Sequence, residues 1–106
     1  MSGRWETAAG MAALEAAGGV LGVNVAGRPI ALFLVDGQVH ATDDLCSHGA
    51  ARLSDGYLDG HLIECPLHQG LFDVRDGRPA GPPCTAPIRR WPVRTEGGDV
   101  LIAIEE

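Results

Sequence analysis

The chain has 106 residues, 45% of them hydrophobic, and a formal net charge of −6 at pH 7. That length suffices for one domain with a buried core and is too short for two. The acidic balance argues against nucleic acid as a partner, because proteins that bind it present basic surfaces to the phosphates. Residues 8–26 are apolar but consist mainly of Ala and Gly and include Glu15, so they predict neither a signal peptide nor a transmembrane helix.

The negative charge is concentrated in the middle of the chain. Between positions 36 and 76 eight acidic residues stand against two arginines, an excess of six, so the flanks are neutral overall. Complementary charge speeds the encounter of proteins, and this segment therefore predicts partners with basic docking surfaces. Acidic residues that only keep a small domain soluble are an equally good interpretation. The acids are Asp36, Asp43, Asp44, Asp55, Asp59, Glu64, Asp73 and Asp76.

The first part of the chain predicts short strands and one short helix. The elements are a strand at residues 4–8, one or two helical turns at 11–17, strands at 20–25 and 30–35, and a returning strand at 38–41. Gly18-Gly19 ends the helical stretch. Asp36-Gly37 is a favoured two-residue hairpin turn, so the last two strands should pair.

The second part predicts further hairpins. Asp59-Gly60 should join residues 57–58 to 61–63, and Asp76-Gly77 marks another turn. The last predicted elements are strands at 88–95 and 100–104. They should close a sheet with the first strands of the chain.

Two short segments each offer one thiolate and one imidazole. Cys46-Ser47-His48 follows one predicted hairpin, and after sixteen residues Cys65-Pro66-Leu67-His68 follows the next. In a Rieske [2Fe-2S] cluster, two histidines replace two cysteines on one iron, which suits this pattern. A structural zinc site of two cysteines and two histidines is the alternative, although zinc motifs usually keep paired cysteines and paired histidines together.

These motifs resemble the ligand loops of the soluble Rieske ferredoxins of bacterial aromatic-ring-hydroxylating dioxygenase systems. The likeness includes Gly49 and Gly70 beside the ligands, the segment Leu-Ser-Asp-Gly-Tyr-Leu-Asp-Gly at 53–60, and Trp91-Pro92-Val93 near the end. The resemblance implies an all-β Rieske fold in a single domain, residues 1–106. An antiparallel β-sandwich base would comprise residues 1–44 and 84–106, with residues 45–83 inserted as a cluster-binding part.

The resemblance also implies one [2Fe-2S] cluster per chain. Cys46 and Cys65 would bind one iron, and His48 and His68 the other. In the high-potential Rieske proteins, a serine and a tyrosine donate hydrogen bonds to the cluster two and four positions after the second histidine ligand. Gly70 and Phe72 occupy those positions here, so we expect a potential near the low end of the Rieske range of roughly −150 to +300 mV. The disulfide of those proteins cannot form, since Leu67 replaces one of its cysteines.

The function that the resemblance implies is electron transport. Such a ferredoxin carries one electron at a time from an FAD-containing, NAD(P)H-dependent reductase to a terminal Rieske oxygenase in aromatic compound catabolism, and is not itself an enzyme. We expect a monomer with no nucleic acid or membrane partner. The histidine end of the cluster is the expected exit for electrons, with a docking collar of Leu67, Gln69, Pro82 and Pro83. Pro82 and Pro83 would also cover the cluster.

The sequence excludes one alternative function and leaves others open. An oxygenase function is excluded because only His40 and His61 remain as ligands for a second iron, and each is predicted on a strand. A small subunit of an assimilatory reductase and a redox-sensing module remain as alternatives. The third cysteine, Cys84, has no partner left for a disulfide, which favours a reducing compartment, the cytoplasm. The sequence does not specify the aromatic substrate.

Overall fold

The structure, a computed structural model, describes residues 4–45, 51–66, 70–81 and 86–104. Within these ranges the chain forms eleven β-strands, one short α-helix and a single turn of 3-10 helix at Leu53–Asp55. The strands and helix are β1 (Arg4–Gly10), α1 (Met11–Ala16), β2 (Val20–Val25), β3 (Arg28–Val35), β4 (Gln38–Asp43), β5 (Tyr57–Asp59), β6 (Leu62–Glu64), β7 (Leu71–Asp73), β8 (Pro79–Gly81), β9 (Arg90–Trp91), β10 (Val93–Glu96) and β11 (Asp99–Ile104).

The strands form three antiparallel sheets. The first has the order β1-β11-β10 and the second β2-β3-β4-β9, so both combine strands from the two ends of the chain. In the first sheet Arg4 pairs with Ile104. The third sheet, β5-β6-β7-β8, lies wholly within residues 57–81. The all-β fold predicted from the sequence is confirmed.

Strand β3 is the centre of the molecule, because both of its faces are buried. Its odd-numbered residues, from Ala31 to Val35, pack in one apolar cluster with Ile63 and Phe72 of the third sheet. Its even-numbered residues Ile30 and Leu32 belong to a second cluster with strand β11 of the first sheet. A strand buried on both faces carries a continuous apolar run, which is what the sequence shows at 30–35. The third sheet is therefore anchored on the sheet that carries β3.

The hairpin of β3 and β4 turns where the sequence predicts. Val35 pairs with Gln38, and Asp36 and Gly37 between them have φ values of 52° and 78°. Two successive residues with positive φ define the turn type that favours Asp-Gly. The hairpin delivers the chain to Asp44 and the first predicted ligand loop.

Three features differ from the sequence-based expectation. Strands β7 and β8 were not predicted; β8 contains proline and glycine, which are poor strand residues, but it lies at the edge of its sheet, where they are tolerated. The single strand predicted at residues 88–95 is two strands in different sheets, β9 and β10, separated at Pro92. His61 was predicted on a strand but lies in the turn before β6.

A membrane-spanning helix was not expected, and no helix among the described residues is long and apolar enough to be one.

Candidate metal centre

The first predicted ligand loop is closed at its base by Asp44 and the residues that follow the loop. Leu45 and Arg52 form an isolated antiparallel bridge. The backbone N–H of Leu53 donates to the carbonyl oxygen of Asp44 at 2.6 Å, and the N–H of Ser54 donates to its Oδ1 at 2.8 Å. The chain therefore leaves β4 at Asp44 and is back at nearly the same point by Leu53, so both ends of the first predicted ligand loop are held together.

The second predicted ligand loop is closed by a backbone hydrogen bond between its first and last residues. The N–H of Cys65 donates to the carbonyl oxygen of Gly70 at 2.8 Å. Directly below this bond, Glu64 of β6 pairs with Leu71 of β7. The loop thus continues a hairpin, and paired strands fix the direction in which Cys65 leaves the sheet.

The exit of the first loop packs against the side chain of Cys65, at the entry of the second. This side chain is fully buried, and it packs in one apolar cluster with Ala51 and Leu53 from the exit of the first loop. Phe72 of β7 belongs to the same cluster and is also fully buried. A thiol surrounded by apolar side chains is shielded from water, which suits a sulfur ligand of a buried metal centre.

A close backbone contact at Gly56 brings the two loops together. A Cβ atom added at Gly56 would lie 2.0 Å from the carbonyl oxygen of Glu64, well inside any allowed separation. Gly56 follows the 3-10 turn that leaves the first loop, and Glu64 precedes Cys65. The absence of a side chain at position 56 is therefore what lets the exit of one loop contact the entry of the other.

Of the four predicted ligands, only Cys65 lies within the described residues; Cys46, His48 and His68 lie outside them. The predicted collar and cover residues Leu67, Gln69, Pro82 and Pro83 also lie outside, as does Cys84. Among the residues that the structure does describe, no three His, Cys, Asp or Glu side chains form a potential metal site. The structure therefore describes the residues at the ends of both ligand loops, and not the middle of either loop.

The two remaining histidines lie near Asp73 and not in the ligand loops. His40 on β4 is partly buried, and its pKa is lowered by burial and by the charge of Arg90, with Asp73 opposing. His61 Nδ1 lies 3.2 Å from Asp73 Oδ2. Arg75 donates to both carboxylate oxygens of Asp73, at 3.0 and 2.8 Å, and lowers the pKa of Asp73 to about 2.

The acidic segment found in the sequence is partly neutralised within the fold. Arg52 contacts Asp44, Arg75 contacts Asp73, and Arg78 contacts Asp76. Within the described ranges, no ion pair involves Asp55, Asp59 or Glu64, which lie on or beside the hairpin of β5 and β6. Asp55 and Glu64 therefore leave unpaired negative charge beside the second ligand loop, whereas Asp59 lies at the turn end of its hairpin.

Exposed apolar side chains border the same region. Leu45, at the entry of the first loop, is 43% exposed, and Tyr57, which pairs with Glu64, is 67% exposed. Pro66 follows Cys65 and is also exposed. Beside Tyr57 a surface cleft of about 280 Å³ is lined by Asp55, Gly56, Tyr57, Glu64, Cys65 and Pro66. No sequence pattern predicts this cleft, because its walls come from segments separated by turns.

Residues 4–92 match the family profile described as the Rieske [2Fe-2S] domain. The chain is 56% identical over 85 residues to the ferredoxin component of the naphthalene 1,2-dioxygenase system of Pseudomonas aeruginosa, a match that covers 80% of this chain and 82% of that protein.

Two solved structures agree with this match. One is a chain in the complex of reduced oxygenase and oxidized ferredoxin in carbazole 1,9a-dioxygenase, with a TM-score of 0.85 and 41% identity over 93% of this chain and 92% of that one. The other is the ferredoxin of carbazole 1,9a-dioxygenase from Nocardioides aromaticivorans IC177, with a TM-score of 0.88 and 34% identity over 95% and 98%. These likenesses agree with two predicted ligand loops whose bases lie together at the buried Cys65. The chain belongs to the family of Rieske [2Fe-2S] domains.

Proposed function

We propose that this chain is the ferredoxin component of an aromatic-ring-hydroxylating dioxygenase system. It carries one electron at a time from an FAD-containing, NAD(P)H-dependent reductase to a terminal Rieske oxygenase in aromatic compound catabolism, and it is a carrier and not an enzyme. The observation that carries this proposal is the likeness to ferredoxin components of such systems over four fifths of the chain, 56% identical in the naphthalene case. The closed loops around Cys65 support it independently.

The proposed ligands are Cys46 and Cys65 for one iron and His48 and His68 for the other. The buried position of the Cys65 side chain, at the point where both loops meet, fits a thiolate ligand. When bound, the [2Fe-2S] cluster supplies a centre that accepts and releases a single electron, and imidazole ligands place its potential above that of four-cysteine clusters.

The buried residues of the described chain that pack around Cys65 are apolar, so they exclude water and have no side-chain hydrogen-bond donors for the cluster. Leu53, Phe72 and Val74 are fully buried in the cluster that contains Cys65. Hydrogen bonds to cluster sulfur favour the more negative, reduced state, and a phenylalanine ring has no hydroxyl with which to make one. This supports a potential near the low end of the Rieske range.

The proposed docking surface surrounds the ends of both loops. Leu45, Tyr57 and Pro66 provide exposed apolar area, and Asp55 and Glu64 provide charge without an ion pair among the described residues. A partner with basic residues around an apolar centre would match this surface, and such fields speed association. The electron would leave through His48 and His68.

We also propose the division of the chain that the sequence predicts, with residues 45–83 as the cluster-binding part inserted in a base of residues 1–44 and 84–106. The separate sheet of β5 to β8 supports it. We propose in addition a monomer located in the cytoplasm, where Cys84 would stay reduced.

The ligand set is tested by comparing two cysteine variants. Protein purified without oxygen after iron-replete growth should contain two irons and two acid-labile sulfides per chain and should bleach on reduction. Cys46→Ser should lose both, whereas Cys84→Ser, which removes the cysteine not assigned as a ligand, should keep them. Zinc without sulfide in the wild-type protein would refute the cluster and support the structural zinc alternative.

The partner assignment is tested by reconstitution. The chain should support product formation when mixed with the reductase and oxygenase of a naphthalene-type system, and the rate should fall as ionic strength rises. Omission of the chain should abolish turnover. A chain that holds its cluster and is reduced, but passes no electrons to any oxygenase, would favour a reductase subunit or a redox sensor instead.

A further inference from the structure

The carboxylate of Asp44 is almost completely buried, which is unusual for a residue on the approach to a surface loop. Its relative exposure is 1%. A buried carboxylate is costly unless it is fully hydrogen-bonded. Ser54 N–H donates to Oδ1 at 2.8 Å, Ser54 Oγ donates to Oδ2 at 2.9 Å, and Arg52 Nη1 donates to Oδ2 at 3.3 Å. Within the part of the chain that the structure describes, the partners of this side chain all lie at the exit of the first ligand loop.

The backbone of Asp44 completes the connection between the two ends of the loop. Its carbonyl oxygen accepts from Leu53 N–H at 2.6 Å, and its own N–H donates to Pro29 O at 3.0 Å. One residue therefore joins the base strand β3, the entry of the loop and its exit. We call Asp44, Arg52 and Ser54 the clasp.

Strand β2 packs directly against the clasp at Gly22. A Cβ atom at position 22 would lie 2.5 Å from Ser54 Oγ and 3.0 Å from Asp44 Oδ2. The φ of Gly22 is not in the left-handed region, so the position requires space and not an unusual backbone conformation. Any side chain at position 22 of β2 would therefore clash with the side chains of Asp44 and Ser54.

The clasp is close to two proposed ligands along the chain. Cys46 follows Asp44 by two residues and His48 by four, and two residues of chain span at most about 7 Å. Groups that hold the ligand-bearing backbone orient the ligands and tune the metal. The carboxylate of Asp44 also opposes reduction, since the reduced cluster is more negative than the oxidised one; its partner Arg52 is half-exposed, so water screens the guanidinium charge more than the buried carboxylate.

We propose that Asp44 is a positioning residue for the cluster: its hydrogen bonds fix the first ligand loop, and its charge lowers the reduction potential. This rests on the proposed assignment of Cys46 and His48 as ligands. The two effects separate in two substitutions. Asparagine keeps a carbonyl oxygen for Ser54 N–H and an amide that can donate to Ser54 Oγ, but it removes the charge and, with it, the acceptor of the 3.3 Å bond from Arg52. Alanine removes the charge and every side-chain bond.

The test uses the holoprotein of four variants: Asp44→Asn, Asp44→Ala, Gly22→Ala and the control Asp36→Asn. Asp36 lies in the exposed turn at the other end of the β3–β4 hairpin, about 20 Å away at the usual rise per strand residue. The control changes net charge by the same amount, and asparagine is accepted at its positive φ. Two quantities are measured: the midpoint potential by voltammetry, and the rate at which visible absorbance is lost in excess chelator.

We expect Asp44→Asn to shift the potential to more positive values than Asp36→Asn does, with cluster loss within twofold of wild type. Asp44→Ala and Gly22→Ala should lose the cluster at least fivefold faster than wild type. Gly22→Ala keeps every charge and ligand, so it also serves if Asp44→Ala does not fold. Equal cluster lifetimes in Gly22→Ala and Asp36→Asn would overturn the positioning role, and equal potentials in the two asparagine variants would overturn the effect of charge. Failure of wild type and Asp36→Asn alike to hold iron and sulfide would refute the ligand assignment itself.

Discussion

The contact between Gly56 and Glu64 makes a quantitative prediction about how the two ligand loops are held together. In Gly56→Ala, the new Cβ would lie 2.0 Å from the carbonyl oxygen of Glu64, so backbone on one side must move by at least about 1 Å to reach the 3.0 Å that real Cβ atoms keep. Gly56 has φ −90° and ψ −164°, an extended conformation open to alanine, so the cost is steric alone. Overpacking of this kind costs about 1–3 kcal/mol, and the lower chain entropy of alanine offsets about 0.4–1 kcal/mol.

At the midpoints of these two ranges the net loss is about 1.3 kcal/mol, which should lower the thermal midpoint of the holoprotein by about 5–10 °C. Gly60→Ala is the matched control in the same hairpin, because a Cβ there meets nothing within 4 Å but the residue has φ +64°, which costs an L-residue about 1–2 kcal/mol. Circular dichroism should therefore show similar losses of stability. Only Gly56→Ala displaces the backbone next to Cys65, so only it should release the cluster faster in excess chelator. Equal cluster lifetimes in the two variants would refute the role given to this contact.

Three further predictions concern single side chains. Trp91→Phe removes the 2.8 Å hydrogen bond from the indole Nε1 to Asp43 Oδ1 and should cost about 2 kcal/mol in denaturant unfolding; a loss below about 0.5 kcal/mol would contradict this. The pKa of Asp73 is lowered to about 2 by Arg75, so this pair stabilises the fold above the ordinary carboxyl pKa of 3.8, and the contribution should disappear as the pH falls from about 4 to 2. Arg75→Ala should therefore destabilise the protein at pH 6 and leave it nearly unchanged at pH 2; an equal loss at both pH values would rule out this linkage. Phe72→Tyr adds the hydroxyl that high-potential Rieske proteins have and should raise the midpoint potential, a prediction that an unchanged or lower potential would refute.

The elements set by local patterns were predicted well from the sequence. Asp36-Gly37 defines the β3–β4 hairpin because Asp-Gly accepts two positive φ values, and the structure has them there. The continuous apolar run at residues 30–35 reflects burial of β3 on both faces. The ligand motifs are local as well, which is why the sequence alone shows the resemblance to the family.

The features that failed or were missed depend on contacts between distant segments. Pro92 interrupts the strand predicted at 88–95, and only the sheet partners of β9 and β10 show that the two halves belong to different layers. Asp44 was counted among the acids of a charged surface, yet it is buried against Ser54, ten residues further along the chain. No periodicity or propensity distinguishes such a carboxylate from an exposed one. The same holds for Gly22 and Gly56, whose missing side chains matter only because another backbone or side chain approaches them.

Pairing of the first and last strands makes the chain suitable for circular permutation. Arg4 lies opposite Ile104 in an antiparallel pair, so a linker of a few residues could join these two positions without deforming the sheet that contains them. The chain could then be cut open in the exposed Asp36-Gly37 turn, which has no Cβ contact within 4 Å at Gly37. Such a circular permutant would retain all three sheets and both ligand loops while beginning and ending at a hairpin tip.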